Sequence, residues 1–148
     1  LVKNVMRYAD MQEAVNIRIG LREIIINAIE HGNLAVTFED KTRAQLEGDY
    51  LQFLQARCQL PECRDRTVRI IYSLNASRVI YQISDQGQGF DYAALLREIG
   101  ERENMELEHG RGILMTLGLF DVVRYKAPGN SVFLIKRFKA GSGDAARA

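Results

Sequence analysis

The chain has 148 residues, 47% of them hydrophobic and 26% charged, enough for one domain with a genuine core. Twenty basic residues against nineteen acidic ones leave a net charge of +1, with no basic block long enough to track a phosphate backbone, which argues against a nucleic-acid partner. No apolar run approaches the roughly 20 residues that span a bilayer, and LVKNVMRYAD lacks the apolar stretch of a signal peptide, so the expectation is a cytoplasmic protein with no membrane partner.

Residues 1–11, with Val2, Val5, Met6 and Ala9, read as the tail of an earlier helix. From Gln12 to Asn33, Ile17, Leu21, Ile24, Ile25, Ala28 and Ile29 recur at helical spacing, and Gly32 suits a left-handed helix end. Residues 34–66 form a charged helical excursion, with an apolar pattern over Gln45–Arg57 and a break at Pro61. Cys58 and Cys63, in CQLPEC, have no nearby histidine to complete a tetrahedral metal site and read as reduced thiols.

The period then changes. Val68, Ile70, Tyr72 and Leu74 alternate with Arg69, Ile71 and Ser73, and Val79, Tyr81 and Ile83 with Ile80, Gln82 and Ser84, which predicts two antiparallel strands around a turn at 75–77. Tyr92 to Gly100 reads as a helix, ERENMELEH as a polar loop, and Gly112 to Phe120 as an apolar helix. Val122–Tyr125 and Ser131–Phe138 form a hairpin turning at APGN, and residues 139–148 read as a disordered tail. Helices and strand pairs in this order predict an α+β domain, with helices layered on one face of an antiparallel sheet.

Three constellations carry chemistry. Glu23 and Asn27 lie four apart, hence on one helix face away from the Leu21 and Ile25 stripe, and His31 continues the line. A carboxylate and an amide one turn apart can serve as a base and as a neutral oxygen ligand for Mg2+, although a lone ExxxN is usually just a solvated face. In SDQGQGFD, Asp85 stands where a strand ends, and Gly87 and Gly89 allow close backbone approach, as a nucleotide base requires. In HGRGILM, Gly110 and Gly112 flank Arg111 at the start of a helix, where free N–H groups and the helix dipole suit phosphate.

Each signal alone is weak, and their ordered conjunction is far more specific. With EIIINAIEHGN as an N box and DQGQGFD and HGRGILM as two glycine boxes, residues 12–138 resemble the GHKL superfamily of ATP-binding domains, most closely its anti-sigma-factor serine kinase (RsbW-like) branch. The resemblance implies a Bergerat fold, a two-layer α/β sandwich whose mixed, mostly antiparallel sheet carries helices on one face, with ATP and Mg2+ as cofactors. It implies Glu23 as the catalytic base, Asn27 as the Mg2+ ligand and Asp85 as the acceptor of the adenine amino group. Gly87, Gly89, Gly110 and Gly112 shape the pocket and lid hinges, and Arg111 falls beside the phosphates. His31, Phe90, Ile113 and Ser131 join the cofactor-binding set, with Ser131 or Asn130 standing where the family's threonine assists adenine binding, since the family's GT pair reads GN-S here.

A glutamate at position 23 suits transfer to a serine or threonine hydroxyl, whereas histidine kinases usually carry asparagine there. The implied partners are a STAS-type anti-sigma-factor antagonist and a sigma factor, with homodimerisation open. The insertion at 34–66 resembles one found when such domains are fused to receiver or phosphatase modules. Because the family's domains begin with a strand and a full helix where only about ten residues precede the N-box helix here, residues 1–138 are expected to be the C-terminal part of a larger signalling protein. Two other readings stay open: a nucleotide-gated protein-binding module without turnover, and the catalytic domain of a histidine kinase.

Overall fold

The computed structural model describes residues 1–101 and 110–139. Most of the polar loop and of the tail expected from the sequence lie outside the described residues.

The first long helix, α1 (Met11–Asn27), starts where Asp10 caps it: the Asp10 carboxylate accepts from Glu13 N at 2.7 Å, and the Glu13 side chain reciprocates. Its Ile17, Leu21 and Ile24 are buried, as the 3.6-residue period requires. The helix does not end at a left-handed Gly32. It loosens into a π-helical turn, Ala28–Asn33, in which Leu34 N bonds back to Ile29 O at 2.9 Å, and the residue with positive φ is Ala35 (φ 49°). The expected earlier helix shrinks to one 3₁₀ turn, Val5–Arg7, whose Val5 is fully buried.

The excursion holds two helices rather than one. Thr37 caps α2 (Phe38–Glu47) in a reciprocal box with Asp40, and Gly48, at φ +77°, ends it before α3 (Tyr50–Gln59). This pair covers a small cluster of Leu34, Val36 and Cys63, with Phe53, Leu54 and Leu60 packed against it.

Strands β1 (Arg69–Leu74) and β2 (Arg78–Ser84) form the expected hairpin. Asn75 Oδ1 fixes its turn by accepting from Ser77 N at 2.9 Å and Arg78 N at 3.0 Å. Helices α4 (Tyr92–Glu101) and α5 (Arg111–Leu119) follow, then β3 (Val122–Lys126) and β4 (Ser131–Arg137). The strand order is β1-β2-β4-β3, antiparallel at every pairing among the described residues, in keeping with the mostly antiparallel sheet that the resemblance implied.

Alternation gives the sheet two faces. Val79, Tyr81 and Ile83 of β2 and Val132 and Leu134 of β4 are buried beneath α1 and Phe120. Gly20 permits this closeness, since a Cβ there would lie 2.6 Å from the Phe120 ring. The result is the two-layer α+β arrangement that the order of elements implied. Among the described residues, no helix is long and apolar enough to cross a membrane.

Candidate functional site

A cavity of about 620 Å³ opens between α1, the ends of β2 and β4, the start of α5 and the first turns of α2. Its size suits a nucleotide-sized ligand. Glu23, Asn27, His31, Asp85, Gly89, Phe90, Gly110, Arg111, Gly112, Ile113 and Ser131 all line it. The three sequence segments, far apart along the chain, therefore face one space.

Gly112 accounts for how two of them meet. A Cβ at that position would lie 2.9 Å from Glu23 Oε2 and 3.7 Å from Asn27 Nδ2, so the start of α5 rests directly on the acid and the amide. Gly110, at φ +84°, is the N-cap and offers no side-chain cap to the N–H groups of the first turn. Thr116 is fully buried and donates to Gly112 O at 2.8 Å, bracing that turn. An uncapped helix start opening on a cavity beside a carboxylate and an amide is suited to an anion carrying a cation.

The opposite end is built from turns. Asp85 N donates to Asn130 O at 3.0 Å and extends the β2–β4 ladder by one bond, while Asp85 Oδ1 accepts from Gly87 N at 2.8 Å. Burial pushes the Asp85 carboxyl above the ordinary carboxylate range, a shift that the Gly87 N–H and the Arg66 charge partly offset. A half-buried carboxylate with one oxygen bonded to its own loop is a directional acceptor for a base N–H. Gly89, at φ +78°, lies so close to the Pro128 carbonyl that no side chain fits between them. Ser131 Oγ lies 2.8 Å from Ser84 Oγ, and Asn130 Nδ2 donates to Gly87 O at 3.2 Å, so both residues hold this end in shape.

Gly87 is the exception among the expected cavity residues. It does not line the cavity, because it packs against the Gly32 carbonyl and its role is to seat the loop on the end of α1. Gly32 has the matching constraint: a Cβ there would collide with the Asp85 carboxylate. His31 Nδ1 lies 2.6 Å from Val36 O, so the proton sits on Nδ1 and leaves Nε2 as an acceptor when the ring is neutral. Glu23 Oε1 is paired with Arg22 Nη1 at 3.1 Å on the exposed rim.

Sequence reasoning missed several lining residues. Tyr125 of β3 and Phe90 both line the cavity, their rings edge-on with centroids 5.0 Å apart, and Tyr92 packs on Tyr125 at 4.6 Å.

 Burial, with the neighbouring Tyr92 and the Asp85 charge, pushes the Tyr125 hydroxyl pKa well above the ordinary phenol range. Phe38, Glu39 and Lys41 of α2 also line the cavity. The reciprocal cap at Thr37 and Asp40 marks where α2 starts, but nothing local says that this start faces α1.

The comparisons with known proteins agree with this geometry. A sequence model described as the histidine kinase-like ATPase domain matches residues 3–136. Neither the search of curated proteins nor the search of solved structures found a match. The chain belongs to the histidine kinase-like ATPase domain family, an ATP-binding module of the GHKL superfamily.

Proposed function

We propose that the domain is a Mg-ATP-dependent serine/threonine protein kinase of the anti-sigma-factor type, which phosphorylates a STAS-type antagonist in a partner-switching pathway. The observation that carries this reading is the placement of Glu23: its carboxylate lines the ATP cavity in contact distance of the α5 start, one turn from Asn27. In this reading Asp85 accepts the adenine amino group, and the wall of Phe90 and Tyr125 flanks the base. The first-turn N–H groups of α5, with Arg111, take charge spread over the phosphates.

The donor set suits Mg2+. No group of three His, Cys, Asp or Glu side chains among the described residues could hold a metal ion alone, whereas Asn27 offers a neutral oxygen beside the phosphate end. Mg2+ keeps most of its ligands as waters and phosphate oxygens and needs few from protein. When bound, it neutralises charge on the transferring phosphoryl group. Glu23 takes the proton of the substrate hydroxyl as its oxygen bonds to the γ-phosphorus, and the bond from that phosphorus to the β–γ bridging oxygen breaks, leaving ADP. The Glu23–Arg22 pair is largely solvent-screened, so releasing the carboxylate for this role costs little.

The test is transfer of label from radioactive ATP to candidate antagonists by wild type and by Glu23→Gln. Loss of a general base lowers transfer by about 10²-fold or more while ATP affinity stays within a few-fold. Transfer at the wild-type rate by Glu23→Gln, or none from a wild type that binds Mg-ATP, contradicts the reading. The second reading, a nucleotide-gated protein-binding module, is favoured by one observation: the start of α2 lines the cavity, so bound nucleotide touches the insertion as well as the catalytic face. Partner regulation that survives Glu23→Ala with nucleotide binding intact selects that reading.

A further inference from the structure

The cavity receives a polyanion in the proposed reading, yet its lining holds three acidic side chains, Glu23, Glu39 and Asp85, against two basic ones of lysine or arginine, Lys41 and Arg111. Arg111 comes from a glycine box. Lys41 comes from the insertion, on the second turn of α2, and no other lysine lines the cavity among the described residues.

Its position is built. Lys41 Nζ lies 2.7 Å from Glu30 Oε2, and both side chains are largely withdrawn from solvent, at 28% and 12% exposure. Glu30 stands one turn beyond Asn27, on the π-helical extension of α1. The Lys41 ammonium also sits 5.5 Å from the centroid of the Tyr50 ring, on α3. The backbone beneath is clamped: Arg57 of α3 donates to Leu34 O at 2.9 and 2.6 Å and to Ala35 O at 2.8 Å, and Val36 N bonds to Glu30 O at 2.9 Å. An ammonium has three donors, and the carboxylate of Glu30 engages one side of it.

We propose that the insertion serves the nucleotide site, with Lys41 as a phosphate-binding residue that Glu30 holds in place and that bonds an oxygen of the nucleotide's phosphate chain. The proposal rests on ATP occupying this cavity and is independent of whether a phosphoryl group is then transferred. One consequence is reciprocal: whatever the phosphates gain from Lys41, the docking of α2 and α3 gains from bound nucleotide.

The experiment compares ATP and adenosine binding by wild type, Lys41→Gln, Lys41→Arg and Glu30→Gln, using calorimetry for ATP and NMR shift titration for adenosine. Losing one charge-assisted hydrogen bond weakens ATP about tenfold in Lys41→Gln, while adenosine binding changes less than about twofold. Lys41→Arg recovers most of the loss, and Glu30→Gln, whose amide oxygen still accepts from the ammonium and keeps it in place without neutralising it, holds or tightens ATP affinity. A brace with no contact to phosphate gives a different pattern: Lys41→Gln weakens ATP and adenosine equally, and Glu30→Gln weakens ATP as Lys41→Gln does. Either result overturns the proposal and leaves the ATP reading intact, whereas a wild type that gives no ATP binding removes both. If Lys41→Gln fails to fold because Glu30 is left buried and unpaired, the double variant Glu30→Gln, Lys41→Gln carries the same ATP-to-adenosine comparison.

Discussion

The sheet layer and the inserted helix pair are held together by different physics. Under α1, large apolar side chains carry the packing: Ile17, Tyr81 and Leu134 have no exposure and belong to one buried cluster drawn from both layers. In the insertion, α3 buries no residue and α2 buries only Ala44, while Leu46 is 84% and Leu51 69% exposed. Beside the small cluster around Leu34, Val36 and Cys63, what fastens it is polar: the Arg57 clamp on two carbonyls, the Lys41–Glu30 pair, and Arg66 donating to Asn33 O at 3.1 Å. Hydrophobic burial scales with area, and a hydrogen bond contributes about 1 kcal/mol net, so the insertion is expected to open well below the global unfolding free energy. The cavity lies along the seam between the two, with one wall from each.

The comparison breaks first in the sheet. Leu134→Ala removes a fully buried side chain at the centre of β4 and is expected to cost about 2–5 kcal/mol in urea unfolding. A loss below 1 kcal/mol means that the core lies elsewhere. In the insertion, Arg57→Ala removes the clamp and is expected to cost about 1–2 kcal/mol. Hydrogen exchange locates that loss, with faster exchange in α2 and α3 and unchanged protection in β2 and β4. Leu51→Lys is expected to stay within about 0.5 kcal/mol of wild type, since its side chain is already in water.

The seam has a pH signature. Burial raises the Asp85 pKa, so the folded state holds this proton more tightly than the unfolded chain does. Its contribution to stability is therefore present below the unfolded-state pKa and lost as pH rises through the folded one. Under the proposed role of Asp85, adenine recognition runs the other way, because the amino group needs an ionised acceptor. ATP affinity is expected to fall as pH drops through the raised Asp85 pKa, at a higher pH than an exposed aspartate would set. Asp85→Asn removes that dependence along with most of the affinity, and an unchanged acid limb in the variant contradicts the assignment.

What could be read from the sequence follows the same division. As residues facing one cavity, Glu23, Asn27, Asp85 and the glycines at 89, 110 and 112 were legible because each constraint is local, a helix face, a strand end or a helix start, and their order along the chain tied them together. The β1–β2 and β3–β4 hairpins were legible from alternation and turn residues. Helix α2 escaped because FEDKTRAQLE has no apolar stripe to betray it. Lys41 and Tyr125 reach the cavity only through tertiary packing, so no spacing in the chain points to them. Gly32 and Gly87 were read as a helix end and a pocket glycine, but each is fixed by the other segment's backbone or carboxylate at the α1–loop contact.

The central claim is that one bound nucleotide touches segments that are distant in sequence. Hydrogen exchange of the domain with and without Mg-ATP tests it most directly. Protection is expected to rise together in residues 23–32, 84–90 and 110–116. Protection confined to one of these segments, or absent from all three at saturating Mg-ATP, contradicts the account.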